Sequence, residues 1–147
     1  MTCVCVLGEK YAMIDYEPIS RESFPGVISL LKAEGWTSYT ADANLTWKAL
    51  TAPGVHTVVA LDGGRVVGVA QMLSDGQIAA FLSIIIVHPD YRRQGIGLGL
   101  VREAFKRTGA KRGVDLVTDS ADAFYRSFAH REFRGFRIYP EGPPNET

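Results

Sequence analysis

An apolar run that ends in a proline turn, two arginines and a glycine-spaced loop constrains this chain more than any other feature. The run closes with Ile85-Ile86-Val87, and His88-Pro89-Asp90-Tyr91-Arg92-Arg93-Gln94-Gly95-Ile96-Gly97 follows. This order predicts a β-strand, a tight turn and the start of an amphipathic helix. The first turn of a helix has N–H groups without intrahelical acceptors and a partial positive charge, so it attracts anions. Because arginine adds charge and glycine allows close approach to the backbone, the segment predicts a pyrophosphate-binding loop.

Two common phosphate-binding motifs do not fit this loop. A P-loop requires Lys-Ser or Lys-Thr after its last glycine, whereas Leu98-Gly99-Leu100 follows Gly97. A dinucleotide-binding fingerprint requires G-x-G-x-x-G directly after a strand. Gly95, Gly97 and Gly99 are spaced G-x-G-x-G instead, and the proline turn separates them from the strand. An ordinary strand-to-helix turn is the structural alternative, but turn, charge and glycine spacing together favour a binding loop.

The same segment resembles the acetyl-CoA-binding motif of the GCN5-related N-acetyltransferases, the GNAT family. Arg92-Arg93-Gln94-Gly95-Ile96-Gly97 meets the family signature Q/R-x-x-G-x-G/A. Further along the chain, Val114-Asp115-Leu116-Val117-Thr118 resembles the family's next strand, and Ala123-Phe124-Tyr125 resembles its helix that carries a tyrosine. The resemblance implies an enzyme that transfers the acetyl group of acetyl-CoA, its co-substrate, to an amine.

The resemblance also implies roles for residues of the motif. In this family the backbone of the strand pairs with the pantetheine arm of CoA, and backbone N–H groups of the loop bind its pyrophosphate. The two arginines are expected to form a basic rim for the phosphates. The implied CoA-binding residues are Ile85, Ile86, Val87, Arg92, Arg93, Gln94, Gly95, Ile96, Gly97 and Leu98.

Tyr125 is the implied general acid, because the family carries a tyrosine on the helix after its fifth strand. A phenol with a pKa of about 10 stays protonated at neutral pH and can donate to a departing thiolate. The family usually continues Tyr-x-x-x-Gly-Phe, whereas Ala129-His130 stand at those positions here, so the path of the chain after Tyr125 is left open. Direct attack by the amine in a ternary complex is expected, since the only cysteines, Cys3 and Cys5, lie far from the motif.

The sequence does not single out a general base. Many family members carry a glutamate on or near the central strand, but Gln77 to Ile84 contains no acidic residue. Proton loss to bulk water is one alternative, and a water held by Ser83 is another. The titratable alternatives, each also explained as a cap or a solvated charge, are Glu22, Asp42, Asp75, Asp119 and His130.

Hydrophobic periodicity predicts a mixed α/β fold in the order β-α-α-β-β-β-α-β-α-β, with helices on both faces of one sheet. This is the GNAT-like fold that the resemblance implies, and the length suits a single domain over residues 1–147. The predicted strands are Ala12–Pro18, Val55–Leu61, Arg65–Met72, Ile78–Val87, Val114–Thr118 and a last one with Phe136, Ile138 and Tyr139. The predicted helices run from Ser20 or Arg21 to Gly35, over Ala43–Leu50 after Asp42 as N-cap, over Gly97–Thr108, and over Ala121–Phe128 after Asp119 or Ser120 as cap.

Charge and composition narrow the partners. Sixteen basic residues balance sixteen acidic ones, so no overall field favours nucleic acid or an anionic membrane. No apolar run reaches the length of a membrane span and the first residues do not resemble a signal peptide, so a cytoplasmic protein is expected. The three histidines and two cysteines lack metal-ligand spacing, so no metal is expected.

The acceptor is expected to be a small-molecule amine, because no acidic run suggests a groove for a basic peptide. A protein or peptide amine is an alternative, and a CoA-binding sensor or scaffold without turnover is another, favoured by the missing acid on the central strand. Trp36, Tyr39 and Trp47 are either packing aromatics or an aromatic wall for a flat or cationic acceptor. By resemblance, a homodimer formed through the last strands is also expected.

Overall fold

A five-stranded sheet organises the first of the two compact units into which the chain divides, Met1–Leu116 and Val117–Thr147. The computed structural model describes residues 5–6, 9–10 and 13–144, with side chains from Met13 onward. Two short strands, β1 (Cys5–Val6) and β2 (Glu9–Lys10), pair with each other and were not predicted. The sheet contains, in spatial order, β3 (Ile14–Pro18), β4 (Val55–Asp62), β5 (Arg65–Ser74), β6 (Ala79–Val87) and β7 (Gly113–Asp115).

Helices cover both faces of this sheet. They are α1 (Phe24–Ala33), α2 (Ala43–Leu50) and α3 (Ile96–Thr108), with short 3-10 helices at Thr37–Tyr39 and Pro89–Tyr91. On one face, Leu31 of α1 and Leu50 of α2 join a buried cluster that includes Val69 and Ile84 of the sheet. On the other face, Leu100 of α3 packs directly against Gly68 of β5. All strand pairs are antiparallel except β6 and β7, so the predicted mixed sheet with helices on both faces is confirmed.

The hairpin of β4 and β5 is the best-buried part of the sheet. The two strands are joined by Gly63 and Gly64, as the Asp-Gly-Gly sequence predicts, and both extend slightly beyond their predicted ends. Val58, Val59, Val67 and Val69 are fully buried, because helices cover both faces of these strands. The hairpin is therefore a rigid base for the segments that follow it.

The helix α3 lies close to the sheet because its inner face carries small residues. A Cβ at Gly99 would overlap the ring of Tyr16 on β3, so only glycine permits this approach. Burial raises the pKa of Tyr16, with Glu103 adding to the effect, so its hydroxyl remains neutral in this contact. The helix begins at Ile96, one residue before its predicted start, and ends at Thr108, where Gly109 follows as a left-handed C-cap.

Several predicted boundaries are wrong by a few residues. The first helix begins at Phe24, because Ser20 and Ser23 hydrogen-bond to each other in a turn that precedes it. The sixth strand begins at Ala79 because Asp75 holds the backbone N–H groups of Gln77 to Ala79 in a turn. The strand β7 ends at Asp115 rather than Thr118. Ala12 and Cys3 lie outside the described residues.

The second unit corrects two further predictions. Its helix α4 spans Asp122–Arg126, and neither Asp119 nor Ser120 caps it; the hydroxyl of Thr118 accepts the N–H groups of Ser120 and Ala121 instead. The predicted last strand is absent from the described part of this unit, and Phe136 is 85% exposed. The backbone groups of a strand must hydrogen-bond to a neighbouring strand, and three apolar residues between Gly135 and Pro140 are too few to stabilise such a pairing. No helix in the described residues is long and apolar enough to cross a membrane.

Candidate acetyl-CoA site

The strand β6 has an edge that is only partly paired. On one side it pairs with β5 as far as Val87. On the other side β7 pairs with Ala79, Ala80 and Phe81 alone. From Leu82 to Val87, no strand in the described part of the chain hydrogen-bonds to this second edge. The backbone groups of Ile85 to Val87 therefore lie on an edge that can accept an added strand-like ligand.

The turn after β6 is held to the β4–β5 hairpin. The N–H of His88 donates to the carbonyl of Val67 at 2.8 Å. The hydroxyl of Tyr91 donates to Oδ2 of Asp62 at 2.6 Å, and this bond raises the pKa of Tyr91. Neither Asp62 nor Tyr91 was predicted to support the site, because a contact across this distance in sequence leaves no local signal. Together these bonds fix where the loop after Tyr91 begins.

The loop and the first turn of α3 present a row of free backbone donors, which we call the N–H cradle (residues 93–98). Arg93 has a φ of 62° and Gly95 a φ of 79°, so left-handed residues alternate with others, as in anion-binding nests. No acceptor among the described residues bonds the N–H groups from Arg93 to Leu98, and no side chain caps α3. A left-handed arginine is strained, and such strain is concentrated at functional sites.

The side chains of the cradle and of the adjacent Arg92 form a buried anchor and a charged surface. Ile96 is only 2% exposed and fixes the start of α3 in the core. Arg92 donates to Oε1 of Glu34 at 3.0 Å and to the carbonyl of Val87 at 3.2 Å, so its charge is partly neutralised. Glu34 was not predicted in this role, because it follows α1 and lies 58 residues before Arg92 in the sequence. Arg93 and Gln94 are exposed.

Tyr125 lies on α4 in the second unit, where its side chain is half-buried. Its ring contacts that of Phe124 edge-to-face, with centroids 5.0 Å apart. Burial raises the pKa of the Tyr125 phenol above its usual value. The group therefore stays protonated throughout the neutral range.

The candidate bases have other roles or are exposed. The Asp42 carboxylate caps α2 by accepting the N–H groups of Asn44 and Leu45. Asp75 accepts three backbone N–H groups, the first from Gln77, which lower its pKa. Glu22 and Asp119 are exposed, and Nδ1 of His130 lies 2.8 Å from the carbonyl of Phe128. Ser83 is the extra residue at a β-bulge in β6, where the register shifts opposite Gln71 and Met72.

The three aromatics between the first two helices do not form one wall. Trp36 and Tyr39 contact each other edge-to-face and pack against the buried cluster beneath α1. Trp47 packs against Phe24 instead, with the Arg21 guanidinium 4.0 Å from its ring centroid. These contacts favour the packing interpretation over the aromatic wall.

Two cavities of similar size open on the first unit. One, of about 390 Å³, is lined by residues 53–55, 73–75, 79–81 and Asp115, and we call it the β6–β7 cavity. The other, of about 400 Å³, lies along β3 and β4 and contains no residue of β6 or β7. Both lie within the size range of small-molecule sites. In the described residues, no group of three or more His, Cys, Asp or Glu is placed to hold a metal ion.

Similar solved structures share this fold. A GNAT family acetyltransferase from Streptococcus pneumoniae TIGR4 is 28% identical, with a TM-score of 0.69 over 90% of this chain and 100% of that one. AAC(6')-Iy, in complex with the bisubstrate analogue CoA-S-monomethyl-acetylneamine, is 17% identical, with a TM-score of 0.71 over 90% and 100%. An aminoglycoside acetyltransferase from an uncultured soil metagenomic sample, in complex with sisomicin, is 21% identical, with a TM-score of 0.68 over 86% and 94%.

Sequence comparison identifies the family. No curated protein matches the chain significantly. The family model of the acetyltransferase (GNAT) domain matches residues 53–129, more than half of the chain. The matched range contains the hairpin, the free edge of β6, the N–H cradle and Tyr125. The chain belongs to the GNAT family and is an acetyl-CoA-dependent N-acetyltransferase.

Proposed function

We propose that the N–H cradle and the free edge of β6 bind acetyl-CoA, and that a small-molecule amine attacks the acetyl group directly in a ternary complex. The observation that carries this proposal is the row of backbone donors from Arg93 to Leu98 without acceptors among the described residues. Donors left free at a helix start are stabilised by an anion. The free strand edge lies immediately before them in sequence, so one extended ligand could engage both.

The residues present fit the two polar parts of CoA. The donors of Arg93, Gln94, Gly95, Ile96, Gly97 and Leu98 suit the pyrophosphate, with the guanidinium of Arg93 beside them. The backbone of Ile85, Ile86 and Val87 suits the amides of the pantetheine arm. The positive charge of Arg92 is only partly available to the phosphates, because Arg92 forms an ion pair with Glu34. Acetyl-CoA bound in this way supplies the thioester that reacts.

Tyr125 is proposed as the proton donor to the departing sulfur. Its raised pKa keeps the hydroxyl protonated at neutral pH, as a general acid requires. In this reaction the amine nitrogen bonds to the acetyl carbon, the bond from carbon to sulfur breaks, and Tyr125 protonates the sulfur. The proton lost by the amine passes to solvent, since the described acids near the sheet serve as caps or are exposed.

A small acceptor suits the dimensions of the first unit. The β6–β7 cavity has a volume of about 390 Å³, within the range of small-molecule sites. An aminoglycoside acetyltransferase with this fold was solved in complex with sisomicin, a small molecule that carries several amino groups. A protein or peptide acceptor stays the alternative within the same reaction class.

The decisive experiment is calorimetric titration with acetyl-CoA, followed by thiol release against a panel of amines, for the wild type and Tyr125→Phe. We expect Tyr125→Phe to lower kcat by about ten- to a thousandfold while the Kd for acetyl-CoA is unchanged. Tyr139→Phe, which alters an exposed tyrosine of the same unit, serves as the matched control. Because burial raises the pKa of the Tyr125 phenol, the wild-type rate should decline only above the usual tyrosine pKa of about 10, and Tyr125→Phe should lose that decline.

Other outcomes would revise the proposal. Equal turnover by Tyr125→Phe would remove this residue from the chemistry. Tight acetyl-CoA binding without thiol release on any amine would favour the sensor alternative. The single domain over residues 1–147, the homodimer and the cytoplasmic location are retained as proposals, to be tested by limited proteolysis, light scattering and cell fractionation.

A further inference from the structure

We infer that the β6–β7 cavity is the acceptor site and that it takes a compact primary amine carried on an apolar group. This inference rests on the proposed function, since it concerns the amine that receives the acetyl group.

The cavity lies where β6 and β7 stop pairing. Phe81 and Asp115 are the last paired residues of the two strands, and the free edge of β6 begins directly after them. An extended ligand that pairs with Ile85 to Val87 and continues along this edge reaches Leu82 after a few residues of about 3.3 Å each. Its reactive end would then adjoin Phe81. The acceptor amine must meet it there.

The floor of the cavity is apolar and partly exposed. Leu73 of β5 lies directly opposite Phe81, and the side chains of both are 40% exposed. Alternation along β5 puts Leu73 on the same face as Val69 and Gln71. Val69 lies in the buried cluster and Gln71 donates to the carbonyl of Ala49 on α2, so this face is covered up to Gln71 and open at Leu73. Two adjacent exposed apolar side chains in a cavity favour an apolar ligand group.

The rim of the cavity carries two exposed carboxylates, each with one oxygen that accepts no hydrogen bond from the described chain. Asp115 accepts from Arg112 through Oδ2 at 2.9 Å. Asp75 accepts its three backbone bonds through Oδ1. Within the described chain, no donor bonds Oδ1 of Asp115 or Oδ2 of Asp75. Two carboxylates against the single guanidinium of Arg112 leave an excess of negative charge, which suits one ammonium group.

The rim is also pre-formed. The N–H of Ser74 donates to the carbonyl of Gly54 at 2.9 Å, and the Ser74 hydroxyl donates to the carbonyl of Ala79 at 2.7 Å. These hydrogen bonds connect the three lining segments, residues 53–55, 73–75 and 79–81. A polycation with many hydroxyls would leave the apolar floor unmatched, whereas a monoamine with an aromatic or branched group matches both floor and rim.

The test compares acceptors that differ in one part. Phenethylamine and ethanolamine carry the same primary amine on apolar and polar groups, and sisomicin is the polycationic comparison. We expect kcat/KM for phenethylamine to exceed that for ethanolamine by about tenfold or more. Phe81→Ala should lower the phenethylamine value by about tenfold and change the ethanolamine value by less than about twofold. Leu45→Ala, which truncates an exposed apolar residue on α2, is the matched control.

The counter-ion is tested by Asp115→Asn. We expect KM for phenethylamine to rise about tenfold with kcat and acetyl-CoA affinity nearly unchanged, and Asp115→Glu to restore part of the loss. Asp15→Asn, at an exposed carboxylate of β3, should change neither. Preference for sisomicin over phenethylamine would overturn the acceptor class, and a silent Phe81→Ala would overturn the location. If acetyl-CoA binds and only other amines react, this inference alone fails; if acetyl-CoA does not bind, the proposed function fails with it.

Discussion

Two helices of the first unit begin in opposite ways. At the start of α2, Asp42 adopts an extended backbone and its carboxylate accepts the N–H groups of Asn44 at 3.0 Å and Leu45 at 3.2 Å. At the start of α3, Gly95 adopts a left-handed backbone, and no side chain in the described residues accepts a hydrogen bond from the first turn. One helix start is closed by its own sequence, and the other is left open to a ligand.

The difference follows from what stabilises each helix. The helix α2 is eight residues long and buries only Thr46 and Leu50, so its cap is a sizeable part of its stability. The helix α3 is thirteen residues long and is fixed by Ile96, Leu100 and Ala104 in the core. Packing therefore compensates for the missing cap of α3. A well-packed helix can keep its donors free for binding, whereas a short surface helix cannot.

Closing the open helix start should have the largest effect. Gly95→Asp introduces a carboxylate beside the N–H cradle, and aspartate tolerates a left-handed backbone. Like-charge repulsion against the pyrophosphate is worth about 3 kcal/mol, so calorimetry should show acetyl-CoA binding about a hundredfold weaker. The new carboxylate would also accept hydrogen bonds from N–H groups of the first turn, so fewer of these groups would be available to the pyrophosphate.

The neutral variant separates charge from shape. In Gly95→Asn, the asparagine matches aspartate in size and also tolerates a left-handed backbone, but it carries no charge. We expect this variant to weaken acetyl-CoA binding by only a few-fold. Unchanged affinity in Gly95→Asp would show that the pyrophosphate does not bind at this helix start.

Opening the closed helix start should affect stability instead. Asp42→Ala removes the acceptor of two backbone donors, so the free energy of unfolding should fall by about 1 kcal/mol. Urea unfolding followed by circular dichroism measures this loss. Asp42→Asn keeps a capping oxygen and should stay close to the wild type, and both variants should bind acetyl-CoA normally. A loss of acetyl-CoA binding in Asp42→Ala would remove the distinction between the two helix starts.

Local signals explain what could be predicted from the sequence. The cap at Asp42 and the turn at Gly63 and Gly64 depend on neighbours in sequence, and both are found as predicted. The strand before His88 and the helix after Gly95 were also recognised, because proline, glycine and apolar periodicity mark their limits. The family motif added an expectation for the backbone donors, which side-chain patterns cannot give.

Contacts between distant segments explain what could not be predicted. The unpaired edge of β6 depends on where β7 stops, at Asp115, although apolar residues continue to Val117. The predicted strand at Phe136 and Ile138 had the right alternation but found no partner strand in the described residues. The pairing of Arg92 with Glu34 joins residues from different elements and has no local signature. The assigned role of Tyr125 stays a prediction.

The ion pair at the cradle offers the finest test of the open helix start. Glu34→Gln removes the carboxylate that shares the charge of Arg92, so Arg92 should interact more strongly with phosphates. Exposed pairs of this kind are worth about 0.2–1 kcal/mol, so acetyl-CoA affinity should rise by about two- to fivefold at low salt. The gain should shrink as salt increases, whereas Glu17→Gln, an equal charge change on β3, should have no effect. Weaker binding in Glu34→Gln would mean that the pair orients the loop rather than competing with the ligand.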